Sequence, residues 1–184
     1  MPLTESPSAP LATYSFRRSA FDDERDYVLL PDRIEVRQGE NVVRTLPLAA
    51  IRKVHLRFDP SETRTYYKCD IRADGGGIFL RHNSFQSLGR VEDRGAAYAA
   101  FVRALLLRLA DQPGVRFRAG SPFNFILAIT FIPLSLWGGW WALGKDPVVP
   151  LVGLGVAGLC CWLLPRYRPR SFDPRDPPRN VLPG

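Results

Sequence analysis

Alternation of apolar and polar residues dominates the chain over residues 14–82. Such period-two alternation is typical of strands that bury one face. The clearest runs are residues 33–37, 53–58 and 65–73, and turn-forming sequences separate the runs at residues 38–41, 59–62 and 74–77. The pattern predicts antiparallel hairpins whose apolar face must be covered by another element.

A helical period replaces the alternation beyond a polar loop that ends near Asp93. Asp93 is a suitable N-cap residue, and residues 111–114 contain the proline and glycine that end helices. Between them, apolar residues recur every three or four positions: Tyr98, Phe101, Val102, Leu105, Leu106 and Leu109. We therefore predict that residues 13–112 form one α+β domain, a small antiparallel β-sheet with one C-terminal amphipathic helix.

Two long apolar segments follow, since residues 119–144 and 147–165 carry no charged side chain. A helix over residues 123–143 is about 30 Å long, which matches the hydrocarbon core of a bilayer. A helix over residues 148–164 is near the shortest length that spans. Because few residues separate them, we predict a two-helix transmembrane hairpin. The alternatives are a buried helical hairpin in a soluble protein and a second segment that inserts only halfway.

Residues typical of membrane interfaces flank these segments. Three tryptophans crowd the end of the first one: Trp137, Trp140 and Trp141. Arginines precede the first segment and follow the second: Arg116, Arg118, Arg166, Arg168 and Arg170. By the positive-inside rule, both ends of the hairpin are cytoplasmic. We therefore expect the chain to be integral to the cytoplasmic (inner) membrane.

The remaining segments are polar or rich in proline. Residues 1–12 lack the features of a signal peptide and predict a disordered lead, and residues 113–122 predict a linker. Residues 165–184 predict an extended cytoplasmic tail rich in proline and arginine. Tyr167 and Phe172 are candidate anchors for a partner there. In the alternative interpretation, the arginines of the tail only hold the second span in place.

Few residues of the chain have catalytic or metal-binding potential. The sequence has two histidines and three cysteines, and it contains no CxxC, HExxH, GxSxG or phosphate-loop motif. Isolated histidines such as His55 and His82 have structural roles more often than chemical ones. We therefore expect a protein that is not an enzyme and that has no metal or cofactor site.

Basic side chains indicate a candidate binding surface better than the histidines and cysteines do. The chain has 25 lysines and arginines against 18 aspartates and glutamates. If residues 53–59 pair with residues 64–72, one outward strand face carries five of them: Lys53, Arg57, Arg64, Lys68 and Arg72. Near anionic lipid headgroups each contributes on the order of 1 kcal/mol. We predict contact with such headgroups and, without a recognised motif, no nucleic-acid binding. The alternative is a merely solvated face, diluted by Asp59, Glu62 and Asp70.

Two runs carry a family resemblance: Leu-Pro-Asp-Arg-Ile-Glu-Val at residues 30–36 and Leu-Pro-Leu-Ala-Ala-Ile-Arg-Lys-Val at residues 46–54. With the closing helix, they resemble the bacterial pleckstrin-homology-like domains often found beside membrane helices. The resemblance covers residues 14–110. It implies a strongly bent antiparallel sheet that forms a split barrel, with the helix plugging one open end. Those domains mostly lack a known catalytic activity, and the resemblance assigns no site residues.

Together, these patterns predict a membrane-anchored, non-catalytic interaction or adaptor module. Its partners would be the lipid bilayer, with anionic headgroups or a membrane protein complex as the further contact. The alternative is an accessory subunit, or a membrane enzyme or assembly factor whose active site is completed by a partner chain.

Overall fold

The computed structural model describes residues 9–60, 65–87, 90–142, 148–178 and 181–183, without the side chains of Asp59, Pro60, Thr65 and Arg166. It is an α+β structure with small antiparallel sheets and, within these ranges, three α-helices. The chain forms two compact units. One comprises Met1–Arg118 with Ser171–Gly184, and the other comprises Ala119–Arg170.

The first sheet has four antiparallel strands in chain order: β1 (Ala12–Phe16), β2 (Arg25–Leu29), β3 (Arg33–Gln38) and β4 (Asn41–Pro47). Tyr14 lies opposite Tyr27, and Ile34 lies opposite Leu46. All four side chains are buried, because alternate residues of a strand face the same side. These residues belong to the apolar face of the sheet, and the alternation predicted at residues 33–37 lies in β3.

Two further sheets complete the strands of the structure. They are built from β5 (Ile51–Pro60), β6 (Thr65–Ala73), β7 (Gly76–Arg81), β8 (Asn83–Ser87), β9 (Arg90–Asp93), β10 (Arg116–Ala119) and β11 (Arg170–Ser171). One has the order β11-β10-β5-β6-β7, and β8 pairs only with β9 in the other. The β8–β9 hairpin occupies the predicted polar loop, and β10 lies within the predicted linker. These strands are short and contain few apolar residues, so alternation does not reveal them.

Helix α1 (Gly95–Leu109) contacts β1 and buries the whole apolar stripe predicted from its period. Its N-cap residue is Arg94, whose side chain makes no capping hydrogen bond. Asp93 has a related role from one position earlier, because its Oδ1 accepts a hydrogen bond from the Gly95 N–H at 2.8 Å. At the other end, Gly114 has φ +88°, a conformation that only glycine adopts at little cost.

The C-terminal segment packs onto the first unit rather than extending away from it. Val181 and Leu182 are only 1% and 4% exposed. The rings of Phe172 and Phe117 meet edge to face with centroids 6.0 Å apart. Arg175 forms an ion pair with Asp111 at 2.5 Å. The apolar residues of the segment thus contact the same chain. The sequence instead indicated Phe172 as a candidate anchor for a partner.

The second unit contains two helices, α2 (Pro122–Ala142) and α3 (Val148–Tyr167), which contact each other. Both are long and apolar enough to cross a membrane. Helix α3 continues three residues beyond the span predicted at residues 148–164. The predicted connecting loop, residues 144–147, lies outside the described residues.

Candidate functional site

The predicted basic residues of β5 and β6 lie on the same face of their sheet. In the antiparallel register, Lys53 is opposite Arg72, and Arg57 is opposite Lys68. The adjacent residues Val54 and Ile71 point the other way, and both are buried. The fifth predicted residue, Arg64, lies outside the described residues. We call the outward side of β10, β5, β6 and β7 the basic face.

Neighbouring strands add arginines to the basic face that the sequence prediction placed elsewhere. Arg81 of β7 is opposite Lys68. On the other side, β10 pairs with β5 and exposes Arg116 and Arg118. These two residues were predicted as membrane-interface anchors in a linker, and the structure places them in a strand. The pairing of β10 with β5 joins segments far apart in the chain, so local alternation contains no signal for it.

Positive charge is concentrated where these strands meet. Burial lowers the pKa of Lys53, and the positive charges of Arg72 and Arg118 lower it further. Arg72 lies opposite Lys53 in the ladder, and Arg118 belongs to the neighbouring strand β10. An anion at this position would relieve the mutual repulsion, so the arrangement suits an anionic ligand.

A carboxylate partly neutralises the face. Asp70 is opposite His55 in the ladder and forms an ion pair with Arg57. Arg57 is therefore paired internally, and Lys53, Arg72, Arg116 and Arg118 are the stronger candidates for contact with an anion. This assignment is more specific than the sequence supports, because the sequence alone does not show which basic side chain forms an ion pair with Asp70.

Aromatic rings lie at the β7 end of the basic face. The Arg81 guanidinium stands over the rings of Tyr66 and Phe79, at 5.5 and 5.9 Å from their centroids. Arg18, from the loop after β1, stands 5.9 Å from the Phe79 centroid. Such cation–π contacts hold the guanidinium groups in place while leaving them charged.

The remaining candidates for chemistry are dispersed. His82 is buried, and its Nδ1 accepts a hydrogen bond from the Tyr67 backbone N–H at 3.0 Å, which explains it as a structural residue. Cys69 is buried in the first unit, whereas Cys160 and Cys161 lie in α3. Among the described residues, no group of three or more His, Cys, Asp or Glu side chains is arranged to hold a metal ion.

The other predicted interface residues flank or occupy the helices of the second unit. Trp137, Trp140 and Trp141 are exposed near the end of α2. Arg168 and Arg170 are exposed beyond the end of α3, and the side chain of Arg166 lies outside the described part of the chain.

Comparison of the chain with protein-family models, with curated proteins and with solved structures found no match.

Proposed function

We propose that this chain is a membrane-anchored, non-catalytic interaction module. Helices α2 and α3 form its transmembrane hairpin in the cytoplasmic membrane of a bacterium. The observation that carries this proposal is the outward exposure of their apolar residues. Within the best 18-residue window of each helix, only 17% and 6% of the residues are buried. The core helices of a soluble protein bury such residues, so these surfaces require lipid or another apolar cover.

Charge supports an orientation with both termini in the cytoplasm. Arg116 and Arg118 precede α2, and Arg168 and Arg170 follow α3. The connecting loop contains Lys145 beside Asp146 and has no net charge. Cytoplasmic flanks of membrane helices carry the excess of lysine and arginine.

The first unit would present the basic face to anionic lipid headgroups. Three residues separate Arg118 from the first residue of α2, so the chain keeps this arginine within about 14 Å of that helix. Each basic side chain near an anionic surface contributes on the order of 1 kcal/mol. In this proposal the first unit adopts the split barrel of pleckstrin-homology-like domains, and its two larger antiparallel sheets and closing helix are compatible with that fold.

Membrane fractionation tests the anchor. We expect the full chain to remain in the membrane pellet after alkaline carbonate treatment and to be released by detergent. A reporter fused to the last residue should be active only in the cytoplasm. A chain that stays soluble without detergent, or a reporter active outside the cell, would contradict the proposal. Turnover of a substrate by the isolated chain would instead favour an enzyme.

Lysine acylation tests the basic face. The chain has three lysines, of which Lys53 and Lys68 lie on that face. In nanodiscs that contain anionic lipid, a small amine-acylating reagent should modify both more slowly than in zwitterionic nanodiscs, and high salt should remove the difference. Replacing Arg72 and Arg118 with glutamine should reduce it. Equal rates in the two lipids would rule out headgroup contact.

A further inference from the structure

Strand β7 is the last strand of its sheet and has an open edge. It pairs with β6 on one side, and no other described strand pairs with it. On the open side, side chains occupy two of its carbonyl groups. Arg44 Nη1 donates to the Gly77 oxygen at 2.8 Å, and the Tyr14 hydroxyl donates to the Arg81 oxygen at 2.5 Å. Every second residue of an antiparallel strand points its N–H and C=O to the same side, so Phe79 presents both groups to this edge.

Open space lies beside that edge and over the adjoining pair of strands, β6 and β7. A cavity of about 440 Å³ lies between β7 and residues of the first sheet, and Tyr27, Val36 and Val43 provide apolar parts of its lining. A second cavity of about 370 Å³ lies on the β6 side. The residues Gly77, Ile78 and Phe79 line both. An additional strand at this edge therefore has to displace the Arg44 side chain from the Gly77 carbonyl.

The charges around the edge favour an acidic occupant. Arg18 and Arg81 stand over the Phe79 ring, and Arg44 contacts Gly77. Arg25 also lines the larger cavity, against two carboxylates, Asp22 and Asp23. Asp23 accepts a hydrogen bond from Gln38 at 2.5 Å. A second copy of β7 is disfavoured, because it would bring the same arginines together.

We propose that the β7 edge binds an extended acidic segment of a partner protein as an added strand. The backbone of the segment pairs with Phe79, as in strand addition to other open sheet edges. Its N–H replaces Arg44 at the Gly77 carbonyl, and the released guanidinium pairs with a carboxylate of the segment. Apolar side chains of the segment contact Val43. This inference rests on the proposed role as an interaction module, and it names the chemistry of the partner.

Peptide binding to the full chain in zwitterionic nanodiscs tests the inference. The probe is a fluorescein-labelled ten-residue peptide of alternating valine and glutamate, measured by anisotropy. We expect it to bind at least tenfold more tightly than a peptide with lysine in place of glutamate. N-methylation of every second backbone nitrogen should abolish binding, because it removes the ladder donors. Equal affinity of the three peptides would overturn the inference.

Variants then locate the site. Phe79→Pro removes a backbone donor on the open side and should weaken binding at least tenfold. The Arg18→Gln/Arg44→Gln pair should do the same without changing the backbone. Arg103→Gln, on the exposed side of α1, is the matched control and should bind as the natural chain does. Unchanged peptide binding by the Arg18/Arg44 variant would overturn the inference. It would also be overturned if the chain associates with itself without peptide and Phe79→Pro abolishes that association. If the chain is soluble without detergent, the proposed membrane anchor is wrong. The same peptide measurement in solution then tests the β7 edge separately.

Discussion

Tyr14 and Tyr98 pack edge to face at the contact between β1 and α1, with ring centroids 5.8 Å apart, but their hydroxyl groups have different environments. The Tyr14 hydroxyl donates to the Arg81 carbonyl. The Tyr98 hydroxyl is buried and has no hydrogen-bond partner within the described residues. Burial raises the pKa of both phenols. A buried hydroxyl group without a hydrogen-bond partner lowers the free energy of unfolding by about 1–3 kcal/mol. The two tyrosines therefore allow a hydrogen-bonded hydroxyl to be compared with one that has no partner.

Removing each hydroxyl should therefore change the free energy of unfolding differently. Tyr98→Phe should leave the free energy of unfolding unchanged or raise it by about 1 kcal/mol, since it removes the desolvated group. Tyr14→Phe should lower it by about 1 kcal/mol, since it removes a hydrogen bond. Thermal unfolding of the full chain in detergent, followed by circular dichroism, measures both. A Tyr98→Phe variant that is less stable than Tyr14→Phe would show that the Tyr98 hydroxyl has a favourable contact.

Local periodicity predicted the parts of the fold that depend on neighbours in sequence. The apolar stripe of α1 and the alternation in β5 and β6 are local, and each appears in the structure where the sequence predicts it. The β8–β9 hairpin was missed because Ser84 and Asn83 are buried polar residues, which alternation treats as exposed. The packing of Leu182 onto the first unit was missed because two apolar residues form no period.

The same distinction applies to the basic face. The pairing of Lys53 with Arg72 follows from one turn and two alternating runs, so sequence predicts it. The contributions of Arg118 and Arg81 depend on which strands become neighbours, and this is decided by packing over the whole unit. The pairing of Arg57 with Asp70 depends on rotamers, about which sequence contains no information.

His82 should make stability depend on pH. Burial lowers its pKa, opposed by the Asp93 carboxylate, whose Oδ1 lies 3.9 Å from Nε2. The neutral form is thus favoured in the folded chain. As pH falls below about 6.5, the unfolded chain takes up a proton first, so the folded state loses stability towards acid. The melting temperature should fall between pH 7.5 and 5.5.

A histidine variant assigns this dependence. His82→Asn retains an acceptor for the Tyr67 N–H and should flatten the pH profile. His55→Asn, on the basic face, changes the other histidine of the chain in the same way and serves as the comparison. Equal slopes in the two variants would assign the acid sensitivity to other groups.

Leu182 should stabilise the first unit although it lies near the C-terminus. It is buried, so Leu182→Ala should lower the free energy of unfolding by about 2–3 kcal/mol through lost burial and a cavity. Leu107→Ala is the control, since it changes an exposed leucine of α1 in the same way. It should lower the free energy of unfolding by less than about 0.5 kcal/mol. Chemical denaturation of the full chain in detergent compares the two. Equal losses would mean that the C-terminal segment is not bound to the unit in solution.

Gly153 permits the close approach of α3 to α2. A Cβ at this position would lie 2.6 Å from the Ser135 carbonyl oxygen, so a larger residue requires the helices to separate. Gly155 has no neighbour within 4 Å of such a Cβ among the described residues. Small residues at one face allow membrane helices to pack closely, and overpacking typically costs about 1–3 kcal/mol.

Gly153→Leu should therefore destabilise the hairpin by that amount, and Gly155→Leu should not. The four tryptophans of the chain all lie in α2 and α3, so tryptophan emission reports on the hairpin alone. We expect the transition in an SDS titration of the micelle-bound chain to shift to lower SDS for Gly153→Leu. Coincident transitions for the two leucine variants would show that the helices are not in contact at Gly153, and the hairpin would then need another source of stability.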